Sequence, residues 1–320
     1  MKALHIQDGN CRLVQDAERP EPKQGWTRVA VTSVGVCATD LALWRGYMGF
    51  RGIPGHEFVG RALDGPLVGQ RVVGEINAGC GDCDLCRSGD ARHCSTRSVL
   101  GILGAPGAFA EELRLPDENL FAVPAGVTDD AAVFAEPLAA ALAVAREVPH
   151  LPAGRALVVG DGRLGLLIAG CLALEGREVD LAGRHPGRER LLFGEGSDAH
   201  TRLRHLGSGL GEASGPGSGP QQRYALVVEA SGRPEVLPLA LGAVEPRGTL
   251  VLKSTAERPA ELDLSSLVVD EIRLVGSRCG RFAPALELLE AAALDPRPMI
   301  EARFGLDAAP DALELSLIHI

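Results

Sequence analysis

Residues 155–165 read RALVVGDGRLG: a buried apolar strand that runs into a glycine-rich turn. Residues 164–175 continue as an apolar helix, so Gly160-Asp161-Gly162-Arg163-Leu164-Gly165 stands after a strand and at the mouth of a helix. In that setting Gly160 permits the tight reversal, Gly162 lets backbone approach a pyrophosphate, and Gly165 lets helix pack on strand. The helix start supplies free amides for phosphate. A tight turn without ligand is the competing reading, and the flanking elements favour dinucleotide binding. Candidate cofactor residues are therefore Gly160, Gly162, Arg163, Leu164 and Gly165.

A second strand, Glu178 to Ala182, completes a β-α-β unit. Tyr224–Glu229, Gly248–Leu252 and Ile272–Val275 read as further buried strands of the same parallel sheet. An NAD-specific site would end the second strand on Asp or Glu, to accept hydrogen bonds from the ribose hydroxyls. Here the stretch is EVDLAGRH. Gly183 takes the acid's place, followed by Arg184, His185 and, a short turn later, Arg188, while Asp180 falls mid-strand, too early to serve. Guanidinium groups at 184 and 188 suit a 2′-phosphate, which favours NADP over NAD. Their alternative role is that of solvated charges at a helix start.

Outward from this unit, the chain up to about residue 125 runs in short β-branched stretches such as Thr27–Val36 and Gly69–Ile76, parted by Gly and Pro. From TDDAAVFAEPLAAALAVAREV the period becomes helical, beginning at Thr128. Residues 205–222 (HLGSGLGEASGPGSGPQQ) are too rich in Gly, Ser and Pro to bury a core and read as a flexible surface insertion. The last six residues, Leu315–Ile320 (LSLIHI), match the translation of a common transposase sequencing adapter and read as non-native sequence at a truncated C-terminus. A genuine apolar terminal strand is the alternative.

At 320 residues the chain has room for two domains, and 46% hydrophobic content marks it as globular. A net charge of −10 and a pI near 5.4 argue against nucleic acid or an anionic membrane as partner. The N-terminus lacks a signal-peptide pattern and no run of about 18 apolar residues occurs, so the expected location is the cytoplasm. Of eight cysteines, Cys80, Cys83, Cys86 and Cys94 are spaced C-x2-C-x2-C-x7-C, the donor set of a closed tetrahedral structural zinc. Cys11, Cys37, Cys171 and Cys279 are scattered, as suits a reducing compartment.

A second set is more widely spread: Cys37 in GVCATDLALWRG, His56 and Glu57 in GIPGHEFVG, and Glu136 in FAEPLAAAL. Thiolate, imidazole and carboxylate together are the ligands of a catalytic zinc that keeps one position open. Alone, each has a structural explanation, and for Glu136 that bland reading is the stronger.

Taken in order, these residues resemble the zinc-dependent medium-chain alcohol dehydrogenase superfamily, and within it the sorbitol and threonine dehydrogenase-like branch. The likeness runs over nearly the whole chain. It implies an α/β plus β architecture: a GroES-like β-rich catalytic domain over 1–145, completed by 280–314, and a Rossmann domain with a doubly wound parallel sheet over 146–279. It also implies two zinc ions per chain, NADP or NAD as cofactor, and a homodimer or homotetramer. By that resemblance Cys37, His56 and Glu57 match the catalytic metal motif. Glu136 matches the acid that replaces a cysteine in the polyol branch, binding zinc directly or through water. Asp40 matches the acid that orients the His56 imidazole, and Thr39 the hydroxyl that meets the substrate oxygen.

The reaction so implied moves a hydride between the CH–OH group of an alcohol or polyol and NAD(P), zinc acting as Lewis acid and Thr39 passing the proton outward. Two features depart from the branch. Ala42 stands where its relay histidine would be, and the C-terminal segment stops early. Leu43, Trp44, Tyr47, Met48 and Phe50 form an apolar group that either lines a substrate pocket or packs the loop. The rival readings are a zinc-independent quinone or enoyl reductase of the same superfamily and a non-catalytic NADP- and zinc-binding protein.

Overall fold

Asp8 and Gly9 both take positive φ, 52° and 76°, and turn the chain between Ala3–Gln7 (β1) and Asn10–Val14 (β2), an antiparallel hairpin. An Asp-Gly pair is well suited to such a turn. The computed structural model describes residues 1–148, 150–193, 197–208, 222–255 and 258–318. Their contacts form two units, Met1–Glu136 with Phe282–Glu290 and Ile300–Ile320, and Pro137–Arg281 with Ala291–Met299.

In the first unit, Trp26–Gly35 (β3) lies where the β-branched stretch predicts a strand. After Ala38–Trp44 (α1) come Glu57–Ala62 (β4) and Arg71–Gly74 (β5). Asn77–Ala78 (β6), Asp84–Arg87 (α2), Ser98–Leu100 (β7) and Gly104–Ala105 (β8) frame the cysteine loop. Glu112–Pro116 (β9) and Leu120–Ala122 (β10) complete a sheet of order β10-β5-β4-β3-β9, antiparallel throughout. Its register shifts between Val31 and Ser33, just before β3 delivers the chain to Cys37. Such a bulge re-aims the strand that follows it.

The helix expected from Thr128 divides in two. Thr128 Oγ1 accepts the Ala131 amide and caps Asp129–Ala132 (α3), and a new helix, Ala135–Arg146 (α4), follows. Pro137 has no N–H for the Val133 carbonyl, so the first helix cannot run on, whereas a proline is tolerated in the first turn of the second.

The second unit holds Ala156–Val159 (β11), Arg163–Leu174 (α5), Val179–Ala182 (β12), Asp198–Thr201 (α6), Leu203–His205 (β13), Tyr224–Glu229 (β14), Leu237–Gly242 (α7), Val244–Leu252 (β15), Leu264–Val269 (α8) and Arg273–Gly276 (β16). Its six strands are all parallel in the order β13-β12-β11-β14-β15-β16. This is a doubly wound sheet whose order reverses between β11 and β14, where the carboxyl ends open a crevice. Every residue of β11, β12 and β14 is buried, as helices on both faces require. His205, expected in the flexible insertion, instead ends β13. Residues 206–208 and 222 of that stretch take no helix or strand, and residues 209–221 lie outside the described residues.

The chain then adds Phe282–Glu290 (α9) and Ala309–Ile318 (α10) to the first unit. The Phe282 ring stacks on Phe121 at 5.8 Å, and Leu313 is fully buried with Leu4, Leu41 and Phe109. Residues 315–318 continue α10 as helix rather than strand; 319–320 lie outside the described residues. The units part at Glu136/Pro137, nine residues before the expected boundary, and 291–299 group with the second unit. Contacts explain the shift: the Arg281 amide bonds Glu147 Oε1 at 3.1 Å, and a side chain at Gly280 would run into Ala139 of α4. No helix among the described residues is long and apolar enough to cross a membrane.

Candidate metal centres and cofactor site

Cys37 lies two residues beyond the end of β3 and caps α1, while His56 immediately precedes β4 and Glu57 opens it alongside. The antiparallel register sets Gly35 opposite Glu57. A Cβ at Gly35 would lie 2.6 Å from Glu57 Oε2, so a side chain there would displace the carboxylate from this position. One donor atom each from Cys37, His56 and Glu57 falls within 4.8 Å of the other two. Glu136 is half-buried at the start of α4 and does not join that group.

Asp40 is fully buried and holds the two backbones together. Its Oδ2 accepts the Cys37 amide at 2.9 Å and its Oδ1 accepts the Gly55 amide at 3.0 Å. Gly55, at φ 98° and pressed against Phe109, turns the chain into His56. His56 Nδ1 lies 3.4 Å from Asp40 Oδ1, close enough for charge attraction, yet without hydrogen-bond alignment, so Nδ1 is an unpaired buried atom. Asp40 thus acts on the ligands in two ways, by hydrogen bonds to the main chain and by its charge beside the His56 imidazole. Thr39 is half-buried, its Oγ1 3.7 Å from Cys37 Sγ.

The electrostatics fit a divalent cation. Burial, reinforced by Glu57, pushes the Cys37 thiol up. Burial would lower His56, but Asp40 and Cys37 outweigh it and hold the imidazole well above its usual range. Burial and the neighbouring anionic groups thus favour the proton on both side chains, and a bound metal would take the place of those protons. A thiolate, an imidazole and a carboxylate also carry the charge that neutralises a zinc ion.

The four cysteines of the spaced quartet converge as well, each Sγ within 4.8 Å of the others. All are free thiols. The Cys80 amide reaches Cys94 Sγ at 3.5 Å, and Gly79 gives Cys86 Sγ room that a Cβ would take. The Thr96 hydroxyl and neighbouring amides bring Cys94 down to about 6, whereas burial pushes Cys86 up to about 11. Four sulfurs without an oxygen or nitrogen donor fit a closed, structural zinc.

In the second unit, Gly160 turns at φ 114°, and side chains at 160 or 165 would collide with the backbone of Ala230 or of Gly160 itself. Gly162 caps α5, and a Cβ there would meet open space, which leaves the helix amides accessible to a pyrophosphate. Arg163 is exposed and Leu164 half-buried. After β12, Arg184 is exposed and Arg188 half-buried. Asp180 is committed elsewhere: it is fully buried and binds Arg155, Arg204 and the Tyr224 hydroxyl. Sequence reasoning missed Asp161, which is buried beneath Gly183. It occupies one of the unspecified positions of the glycine motif, and only the fold brings it against Gly183. Of the apolar group before His56, Leu43 is fully buried and Trp44 packs on the core, its Nε1 donating to the Gly9 carbonyl. Those two hold the loop rather than line a pocket.

Known proteins resemble this chain in sequence and fold. Residues 23–125 match the alcohol dehydrogenase GroES-like domain. A sorbitol dehydrogenase of Halalkalibacterium halodurans is 27% identical over 96% of this chain and 93% of its own length. The crystal structure of an alcohol dehydrogenase, RspB, of Escherichia coli with NADH superposes with a TM-score of 0.84 at 26% identity, covering 99% of this chain and 95% of that one. A zinc-binding dehydrogenase of Sinorhizobium meliloti bound to NADP gives 0.82 at 26% identity, covering 98% and 94%.

Proposed function

The chain belongs to the zinc-dependent medium-chain alcohol dehydrogenase superfamily, and from that premise we propose that it transfers hydride reversibly between the CH–OH group of an alcohol or polyol and NAD(P). The convergence of Cys37, His56 and Glu57 carries this reading, because three mixed donors leave a fourth position for substrate. We place one zinc there and one on the cysteine quartet, with Glu136 as a further acid of the first site that acts directly or through water. Bound zinc supplies a Lewis acid for the substrate oxygen, and the nicotinamide supplies the hydride acceptor.

The protein's own residues do the rest. Asp40 fixes the Cys37 and Gly55 backbones, so the ligands keep their geometry while substrate comes and goes. Thr39 Oγ1 takes the substrate proton. Ala42, one turn on, has no group to carry it, so the proton passes from Thr39 to solvent or to the cofactor ribose. Gly160, Gly162 and Gly165, with the amides of Arg163 and Leu164, cradle the pyrophosphate. Arg184 and Arg188 favour NADP at the adenosine end. A cytoplasmic location belongs to the same reading, supported by scattered cysteines that suit a reducing compartment.

A matrix of alcohols, polyols and 3-hydroxy amino acids against NAD and NADP, read by nicotinamide absorbance with zinc-loaded protein, tests the reading. Turnover of at least one alcohol is expected, with two zinc ions per chain. A zinc content of one or none with quinone reduction would favour the zinc-independent rival, and no turnover with any alcohol would defeat the enzyme reading.

A further inference from the structure

The end of β12 is where a carboxylate would select an unphosphorylated ribose, and Gly183 stands there. The site is nonetheless filled. A Cβ built on Gly183 would collide with the Cβ, Cγ and Oδ1 of Asp161, which reaches across from the glycine turn. Asp161 is 6% exposed. Its Oδ2 accepts the His185 amide and lies 3.3 Å from His205 Nε2, and its Oδ1 lies 3.4 Å from His185 Nδ1. Burial would raise this carboxyl, but the amides of His185 and Arg184 and the two imidazoles outweigh it and hold the group below its usual value. Its lone pairs are engaged by the protein and its charge is set against imidazoles. It excludes an acid from position 183 without offering itself to a ribose.

We infer that Asp161 is a specificity-determining residue: by filling the place of the ribose-binding acid it leaves the adenosine ribose to the 184–188 loop, whose exposed cation is Arg184, and so selects a 2′-phosphorylated dinucleotide. This inference rests on the oxidoreductase reading above. Asp161 acts by position, since it also ties the loop through the His185 amide, and loss of that tie alone would weaken both cofactors alike.

A double-mutant cycle separates the two roles. Dissociation constants for NADPH and NADH are measured by nicotinamide fluorescence, with thermal melts, for the wild type, Gly183→Asp, Asp161→Gly and the double variant. The wild type binds NADPH more tightly by about tenfold or more, the scale of a charge-assisted hydrogen bond. Gly183→Asp alone lowers the melting temperature and weakens both cofactors. With Asp161→Gly the new acid is accommodated, and NADH becomes the tighter ligand by a similar factor. If the double variant does not fold, Gly183→Ala with and without Asp161→Gly gives the same answer by melting temperature, costly only where Asp161 remains. Equal tolerance of Gly183→Asp in both backgrounds, a double variant with the wild-type ratio, or a wild type that prefers NADH overturns the inference alone. A wild type that binds neither cofactor overturns the oxidoreductase reading with it.

Discussion

At the scale of single residues, buried carboxylates organise both units. Asp40 joins two ligand-bearing loops and Asp161 joins the glycine turn to the end of β12. Asp180 joins β12 to Arg155, to Arg204 of β13 and to Tyr224 of β14, whose hydroxyl donates at 2.8 Å. Burial would raise Asp180, yet Arg204, Tyr224 and Arg155 hold it below the usual carboxyl range. A carboxyl whose folded value is depressed adds stability above its unfolded value, and that stability is lost as pH falls through the folded value. Asp180→Asn should therefore lower stability at pH 7 by about 2 kcal/mol, less than a fully enclosed pair because Arg155 and Arg204 reach solvent. At an acidic pH below that depressed folded value the wild type has lost this contribution, and the two proteins should converge. Urea titrations at both pH values check the prediction, and a pH-independent difference would show that packing rather than charge is at stake.

At the scale of elements, the sequence is most readable where one local pattern fixes the outcome. RALVVGDGRLG gives β11, its turn and α5 within a residue or two, and the cysteine spacing gives a knuckle whose sulfurs converge. Readability drops where a neighbour decides. The break between α3 and α4 hangs on Pro137, which a helical period masks, and β13 is three residues long and stands as a strand only because β12 pairs with it. Asp161 belongs to the same class, since its role depends on Gly183 lying 22 residues away yet in contact. The knuckle itself offers a test. It has little apolar interior, with Cys80 exposed and Cys83 and Cys86 half-buried, so metal rather than burial should hold it. Cys86→Ser should reduce zinc from two ions per chain to one and raise protease cutting within 79–97, while dehydrogenase activity at low temperature persists. Loss of both ions together would mean that the two sites do not bind independently.

At the scale of the whole molecule, two units with distinct patterns were legible because each carries its own motif. Their boundary was not, because α4 and Glu147 just beyond it take partners from Gly280 and Arg281, far along the chain. The second unit also carries a surface that bears on self-association. β16 is an edge of the six-stranded sheet, and beside it Leu264, Val268 and Val269 of α8 are 62%, 77% and 78% exposed, with Leu274 of β16 at 42%. Natural edge strands are usually guarded by charge, proline or a covering element, and large exposed apolar groups concentrated beside an edge mark a surface that is covered in use. We propose a second copy of this chain as the cover. An edge strand can pair antiparallel with itself across a two-fold axis, and an apolar patch beside it then meets its own image, which is the requirement of a closed dimer. Light scattering of the purified protein should give a dimer or a multiple of it, and Val268→Lys with Val269→Lys should shift it toward monomer. Both side chains are too exposed for their loss to disturb the core, so zinc content and NADPH binding per chain should stay near wild type. A wild-type monomer, or a dimer indifferent to the double substitution, would remove this edge as the interface.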